Sequence, residues 1–236
     1  MRVIGVVQAR LSSQRLPGKI LMPLQGRPSL DYLLDALAHA TRLDGVVLAT
    51  SDASDDDRTA AFAASRGIAC FRGSLAHVAL RLLRAGEAHG ADAIVRVNGD
   101  SPLLDPALID QAIGLFEQAD ADIVTNVRPR SFPKGQSVEV IATAALRTAV
   151  DRMTTSDERE HVTPYLYANP DAFRIRSFTA DVPRPEIQLS IDDPADFARC
   201  DAILTVLGRA PWQAGWRACV SAYDQVAGVP RKEASS

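Results

Sequence analysis

The chain of 236 residues is 47% hydrophobic and 23% charged, long enough to bury a core and too apolar to stay unfolded over most of its length. A formal charge of −3 leaves no cationic excess for lining a nucleic acid or an anionic membrane, so neither partner is expected and each local cluster of arginine needs a local reason. Three cysteines, Cys70, Cys200 and Cys219, form no C-x-x-C pair, which argues against a disulfide framework or a zinc site and for buried free thiols.

The N-terminal "MRVIGVVQAR" meets its second charge after an apolar run too short for a signal segment, and no run approaches transmembrane length, so a cytoplasmic protein is expected. Residues 3–7 read as a first strand. Behind it comes "QARLSSQRLPGK", Gln8 to Lys19. Ala9, Ser12 and Ser13 are small enough to let backbone amides approach an anion, and Arg10, Arg15 and Lys19 supply positive charge. Lysine occurs only at 19, 134 and 232, the other cations being arginine. The loop carries neither the Walker A spacing nor G-x-G-x-x-G, so a P-loop or dinucleotide fold is not supported. A solvated surface loop with scattered cations is the plainer alternative.

Apolar residues at 30, 33, 34 and 37 mark an amphipathic helix. Residues 46–50 read as a strand, followed by a helix with Ser54 as N-cap, acids in its first turn and Gly67 at its end. A third strand at 93–97 runs into Asn98-Gly99-Asp100-Ser101-Pro102, and "DP" pairs fix helix starts near 106 and 194. A strand at 122–125 leads into an excursion over 126–141, a Pro-rich loop over a site or toward a partner, ending in a strand at 137–141. A helix at about 142–152, a capping box of Thr155 with Glu158 and strands at 173–178 and 187–191 complete the order. Short apolar strands alternating with helices imply an α/β fold with a mostly parallel sheet. Residues 1–225 form a single domain in this reading, and 226–236 a frayed tail.

In open α/β sheets ligands bind beyond the carboxyl ends of the strands. Asp100 stands at one such end and Asp192 and Asp193 at another, and two carboxylates opposite a cationic loop suit a metal such as magnesium bound to a triphosphate. Asp193 precedes Pro194 and is the expected helix N-cap, which favours Asp192 as the ligand.

Together "ARLSSQRLPGKIL", "ATSDASDD", "FRGS", "IVRVNGDSPLLDP", "EREHVTPYL" and "LSIDDPADF" resemble the cytidylyltransferases that activate acidic sugars, over about residues 1–205 and nearest to the spore coat polysaccharide branch. The resemblance implies a Rossmann-like nucleotidyltransferase fold of glycosyltransferase A type with helices on both faces. It implies transfer of CMP from CTP to an acidic sugar-like acceptor, with Mg2+ as cofactor and a homodimeric state. Arg10, Lys19 and Asp100 would be catalytic, Arg10 and Lys19 on phosphates. Ala9, Leu11, Ser12, Ser13, Arg15 and Asn98 would surround the nucleotide, with Arg81 helping to read cytosine. Asp100 and Asp192 would hold the metal, and Glu139, Glu160 and His161 the acceptor, although His161 reads equally as a buried histidine bonded to a carbonyl. Ser12 stands where this branch has glycine, Ser137 where an acid is expected, and His77 where an Asp is usual. A metal-dependent glycosyltransferase of related fold, or a nucleotide-binding protein without turnover, are the rival readings.

Overall fold

A computed structural model of the chain describes residues 1–228. The run "VIGVVQ" becomes β1 (Val3–Gln8), the third strand of a seven-stranded sheet. After a 3-10 turn at Lys19–Leu21, a two-residue hairpin pairs β2 (Pro23–Leu24) with β3 (Arg27–Pro28). There follow α1 (Ser29–His39), β4 (Gly45–Ser51), α2 (Asp57–Ser65), β5 (Ala69–Gly73), α3 (Val78–Ala88), β6 (Ala93–Asn98) and α4 (Pro106–Gln118). The second half adds β7 (Ile123–Thr125), β8 (Glu139–Ala142), α5 (Thr143–Arg152), α6 (Ser156–His161), α7 (Thr163–Ala168), β9 (Ile175–Ser177), α8 (Pro194–Leu207), α9 (Pro211–Ala214) and α10 (Trp216–Val226). Of the expected tail, Val226 closes a helix and residues 229–236 lie outside the described residues.

The sheet order is β5-β4-β1-β6-β8-β7-β9, and only β8 runs against its neighbours. The central strands are buried on both faces, which is why they read as near-continuous apolar runs. Leu30 and Leu33 of α1, Ile109 of α4, Ile203 of α8 and Trp216 of α10 pack one face. Leu82 of α3, Leu146 of α5 and Leu166 of α7 pack the other. The register sets Gln8 level with Ala49 and Asn98, so β1, β4 and β6 end on one edge and their loops gather there.

Several expectations change. Ser54 is no N-cap: it opens a 3-10 turn, and the α-helix starts at Asp57 because the preceding Asp56 points its carboxylate at other backbone groups. Residues 187–191 form no strand. They are extended, but bridge only to Lys134, through Lys134 N–H to Ile187 O at 2.9 Å and Leu189 N–H to Lys134 O at 2.8 Å. The 126–136 loop does not roof the cleft described below. Phe132 is buried against Phe178 and Trp216, Gln136 bonds Leu103 O and Asp105 N–H, and Gly135, at φ +91°, lies so close to Leu189 and Ser190 that a Cβ would sit 2.7 Å from their backbone. Cys200 and Cys219 are buried free thiols as expected, whereas Cys70 is exposed on the edge strand β5. Strand β5 and helices α3, α9 and α10 were not anticipated from the sequence.

Candidate active site

At the shared strand edge lies a cleft of about 840 Å³ bounded by the loop after β1, the Asn98–Asp100 turn, Leu75 and His161. The loop is shaped by a buried acid. Asp56, 1% exposed, accepts the Leu11 N–H at 2.7 Å and the Ser51 N–H at 3.3 Å, together with the Ser51 hydroxyl. Ala9 N–H donates to Ala49 O at the end of β4, and Gly18 N–H to Leu11 O. With these bonds made, the N–H groups of Arg10, Ser12 and Gln14 find no acceptor among the described residues. Alternate amides left unpaired at the edge of a cleft, flanked by arginine, offer donors to an anion. Asp56 itself sits in a run of helix-capping acids, "SDDD", and only its spacing one turn after β4 could have hinted at another task.

Gly99 lets the neighbouring turn approach: a Cβ there would meet Ala9 Cβ at 3.0 Å and Gln8 O at 3.1 Å. Asp100 is thereby brought beside the loop. Its carbonyl accepts the Ile191 N–H at 2.9 Å, and this bond carries Asp192 to Asp100 from 92 positions away in the sequence. Asp193 caps α8 by accepting the Asp196 N–H at 2.9 Å, and Asp196 in turn accepts the Asp192 N–H at 3.0 Å, so the helix start consumes Asp193 and leaves the Asp192 carboxylate to Lys19 and Arg15, behind the cleft lining.

Between the two acids stands Lys19, 9% exposed. Its Nζ donates to Asp100 Oδ2 at 2.6 Å and to Ile191 O at 2.5 Å, and lies 3.4 Å from Asp192 Oδ1. Arg15 Nη2 approaches the same Asp192 oxygen at 3.0 Å, and Gln188 Nε2 the other at 3.3 Å. The structure thus unites Lys19, Arg15, Asp100 and Asp192. Two carboxylates closing on one cation form a hard-oxygen pocket whose donors suit a divalent ion that completes its shell with water and phosphate. Among the described residues no group of three or more His, Cys, Asp or Glu is placed to hold a metal ion.

The remaining expected residues divide. Ala9, Arg10, Ser12, Ser13 and Asn98 line the cleft, while Leu11 is buried behind it. Arg10 Nη2 pairs with Glu160 Oε1 at 2.6 Å, which ties the short α6 to the loop. His161 is exposed on the rim, its Nε2 3.4 Å from Asp157 Oδ1, which overturns the buried-histidine reading. Arg81 is 1% exposed; it donates from Nη1 to Ser74 O at 2.6 Å, but Nε and Nη2 have no partner among the described residues. Burial, and then the nearby Arg10, pull its pKa below the ordinary arginine value, with Glu160 opposing them. His77 is the N-cap of α3, accepting the Leu80 N–H at 3.1 Å. Glu139 does not line the cleft. At 3% exposure it is fixed by Arg96, its register partner, at 2.5 Å and by the Tyr167 hydroxyl, because an acid on an inner strand needs such partners to be buried.

No helix among the described residues is long and apolar enough to cross a membrane. Residues 4–205 match the family model described as cytidylyltransferase. The spore coat polysaccharide biosynthesis protein SpsF of Bacillus subtilis is 33% identical over 223 residues, covering 89% of each chain. A cytidylyltransferase from Leptospira borgpetersenii superposes with a TM-score of 0.91 at 26% identity, over 100% of this chain and 99% of its own. A CMP:2-keto-3-deoxy-manno-octonic acid synthetase complexed with CTP shares the fold, with a TM-score of 0.68 at 16% identity over 87% of this chain and 99% of its own. With the match running from β1 through both acids to α8, the chain belongs to the cytidylyltransferase family and is a CTP-dependent nucleotidyltransferase.

Proposed function

We propose that the chain joins CMP from CTP to an acidic sugar-like acceptor, releasing pyrophosphate, in the making of a surface polysaccharide or related glycan. The observation that carries this reading is the convergence of Lys19, Asp100 and Asp192, from three separate segments, at the foot of a loop with unpaired amides. The comparisons support it through a relative named for polysaccharide biosynthesis.

In this reading the loop amides, Arg10, Arg15 and Lys19 hold the triphosphate, with Ser12 and Ser13 keeping the backbone accessible. The cytosine is assigned to the side of Ala9 and Leu11, with Arg81, buried and held by Ser74 O, supporting from behind rather than touching it. Asn98 borders the nucleotide. An acceptor hydroxyl attacks the α-phosphorus, the bond to the β-phosphate oxygen breaks, pyrophosphate departs and the hydroxyl proton is lost to solvent. Lys19 and Arg10 offset the charge that grows on the departing pyrophosphate. Mg2+, held by Asp100 and Asp192, would lower the pKa of the attacking hydroxyl and screen phosphate charge. Glu160 and His161 border the side from which the acceptor enters, and Glu139 supports it from behind through Arg96.

The test is Asp100→Asn. It should abolish magnesium-dependent pyrophosphate release from CTP while the circular dichroism spectrum stays that of the parent; undiminished turnover contradicts the assignment.

A further inference from the structure

Arg81 is the largest fully buried side chain among the described residues, and only its Nη1 has a partner, Ser74 O at 2.6 Å. Its Nε and Nη2 are buried with none. A guanidinium in that state has lost water without gaining a counter-ion, a condition that a carboxylate would relieve.

Helix α6 packs on α3, the helix that carries Arg81. Of its acids, Glu158 accepts the Thr154 and Thr155 N–H groups at 2.9 Å in the capping box, and exposed Asp157 faces His161. Glu160 is paired with Arg10 at 2.6 Å. After burial, Arg10 and then Glu160 act most strongly on Arg81, so one carboxylate stands among two guanidiniums. Of the other acids near Arg81, Asp56 is engaged by the Leu11 and Ser51 N–H groups and Asp52 is exposed to water.

The helix that carries Glu160 is lightly anchored. None of the α6 residues is buried, whereas Leu166 and Tyr167 hold α7 in the core. Between the two helices stands Val162, fully buried at φ +70° and ψ −72°. A β-branched residue is strained in that conformation, and strain of this kind gathers at switch regions. We infer that CTP, by drawing Arg10 onto its phosphates, hands Glu160 to Arg81, and that this exchange of ion pairs turns α6 about Val162 onto α3. The rim that carries His161 then closes on the acceptor side only when the nucleotide is in place. Arg81 and Glu160 are positioning residues in this scheme, and neither touches the reacting atoms. The inference rests on the triphosphate contact given to Arg10 in the CMP-transfer reading, and adds how nucleotide binding prepares the acceptor side.

The experiment follows hydrogen exchange of the amides of residues 156–162 by mass spectrometry, with and without CTP and Mg2+ and with no acceptor present. It compares the parent, Glu160→Gln, Arg81→Met and the double variant, with the CTP Kd of each from calorimetry. Saturating CTP should slow exchange of this segment about fivefold or more in the parent, and in neither single variant. Arg81→Met should raise the CTP Kd about threefold when Glu160 is present, because Arg10 must then be released with no second partner for the carboxylate, and should leave it unchanged on the Glu160→Gln background. A merely structural arginine would weaken CTP binding equally on both backgrounds, and that result overturns the inference. Where Arg81→Met fails to fold, Glu160→Gln decides alone. Equal slowing in the parent and in Glu160→Gln, or CTP bound to the parent without slowing, also overturns the inference and leaves CMP transfer standing. Slowing as expected, with no pyrophosphate released when an ulosonate or a sugar phosphate is added, supports the exchange of ion pairs and defeats the CMP-transfer reading alone.

Discussion

Replacing Asp56 by alanine strikes the phosphate loop from behind, at a residue outside the cleft lining. The lost carboxylate leaves the Leu11 N–H, bonded at 2.7 Å, and the Ser51 N–H, bonded at 3.3 Å, without acceptors in a place water scarcely reaches. A buried donor left unpaired costs about 1–3 kcal/mol. The short Leu11 bond counts nearly in full and the long Ser51 bond for less, so the loss of stability should be about 2–4 kcal/mol. Asparagine keeps one acceptor oxygen but turns an amide toward the second donor, and should lose about half as much. Because the Leu11 bond also sets the backbone of 9–15, CTP binding should weaken by about tenfold, equivalent to about 1.4 kcal/mol. Urea unfolding followed by circular dichroism gives the first quantity and calorimetry with CTP the second. A stability loss below about 0.5 kcal/mol in Asp56→Ala, or CTP binding equal to the parent's, would refute the role given to this acid.

Lys19→Ala leaves Asp100 and Asp192 facing each other without their shared ammonium; CTP should bind more weakly, and the melting temperature should become more sensitive to added magnesium than in the parent, as followed by differential scanning fluorimetry. Glu160→Gln frees Arg10 from a pair that is about one-third exposed on each side; stability should change by less than about 1 kcal/mol, while CTP should bind as well as before or more tightly. Burial and then Glu139 raise the Tyr167 pKa far above its ordinary 10.0. The folded state therefore keeps a proton that the unfolded chain loses, so stability complete below about pH 10 should decline as pH rises beyond it, and Tyr167→Phe should flatten that decline between pH 9 and 11. A thiol reagent should titrate Cys70 alone in the native protein and all three cysteines in urea, because burial pushes the Cys200 and Cys219 thiols up to about 12.

The parts of the fold that could be read in advance are those with local causes. Apolar runs marked the strands buried on both faces, and Asp-Pro pairs fixed the starts of α4 and α8 to the residue. The helix-cap role of Asp193 followed from the same local geometry. Features set by distant partners escaped. Strand β5 alternates burial at an exposed edge and lacks a continuous apolar run. "IQLSI" has strand composition but meets only a loop, since Gly135 allows close approach and no ladder. Asp56 looked like one more helix-capping acid. Glu139 looked available for a substrate because nothing in the sequence shows that Arg96 lies opposite it. Nor could the Ile191 to Asp100 bond, which makes one site of two acids, be seen before the chain was folded.

The most direct measurement is phosphorus NMR of CTP mixed with the protein, magnesium and an ulosonate or sugar-phosphate acceptor. The account predicts that pyrophosphate appears in step with a new CMP-acceptor ester signal, that neither appears without acceptor, and that Asp100→Asn yields neither. Hydrolysis of CTP to free CMP with no ester, or ester formation undiminished in Asp100→Asn, would contradict it.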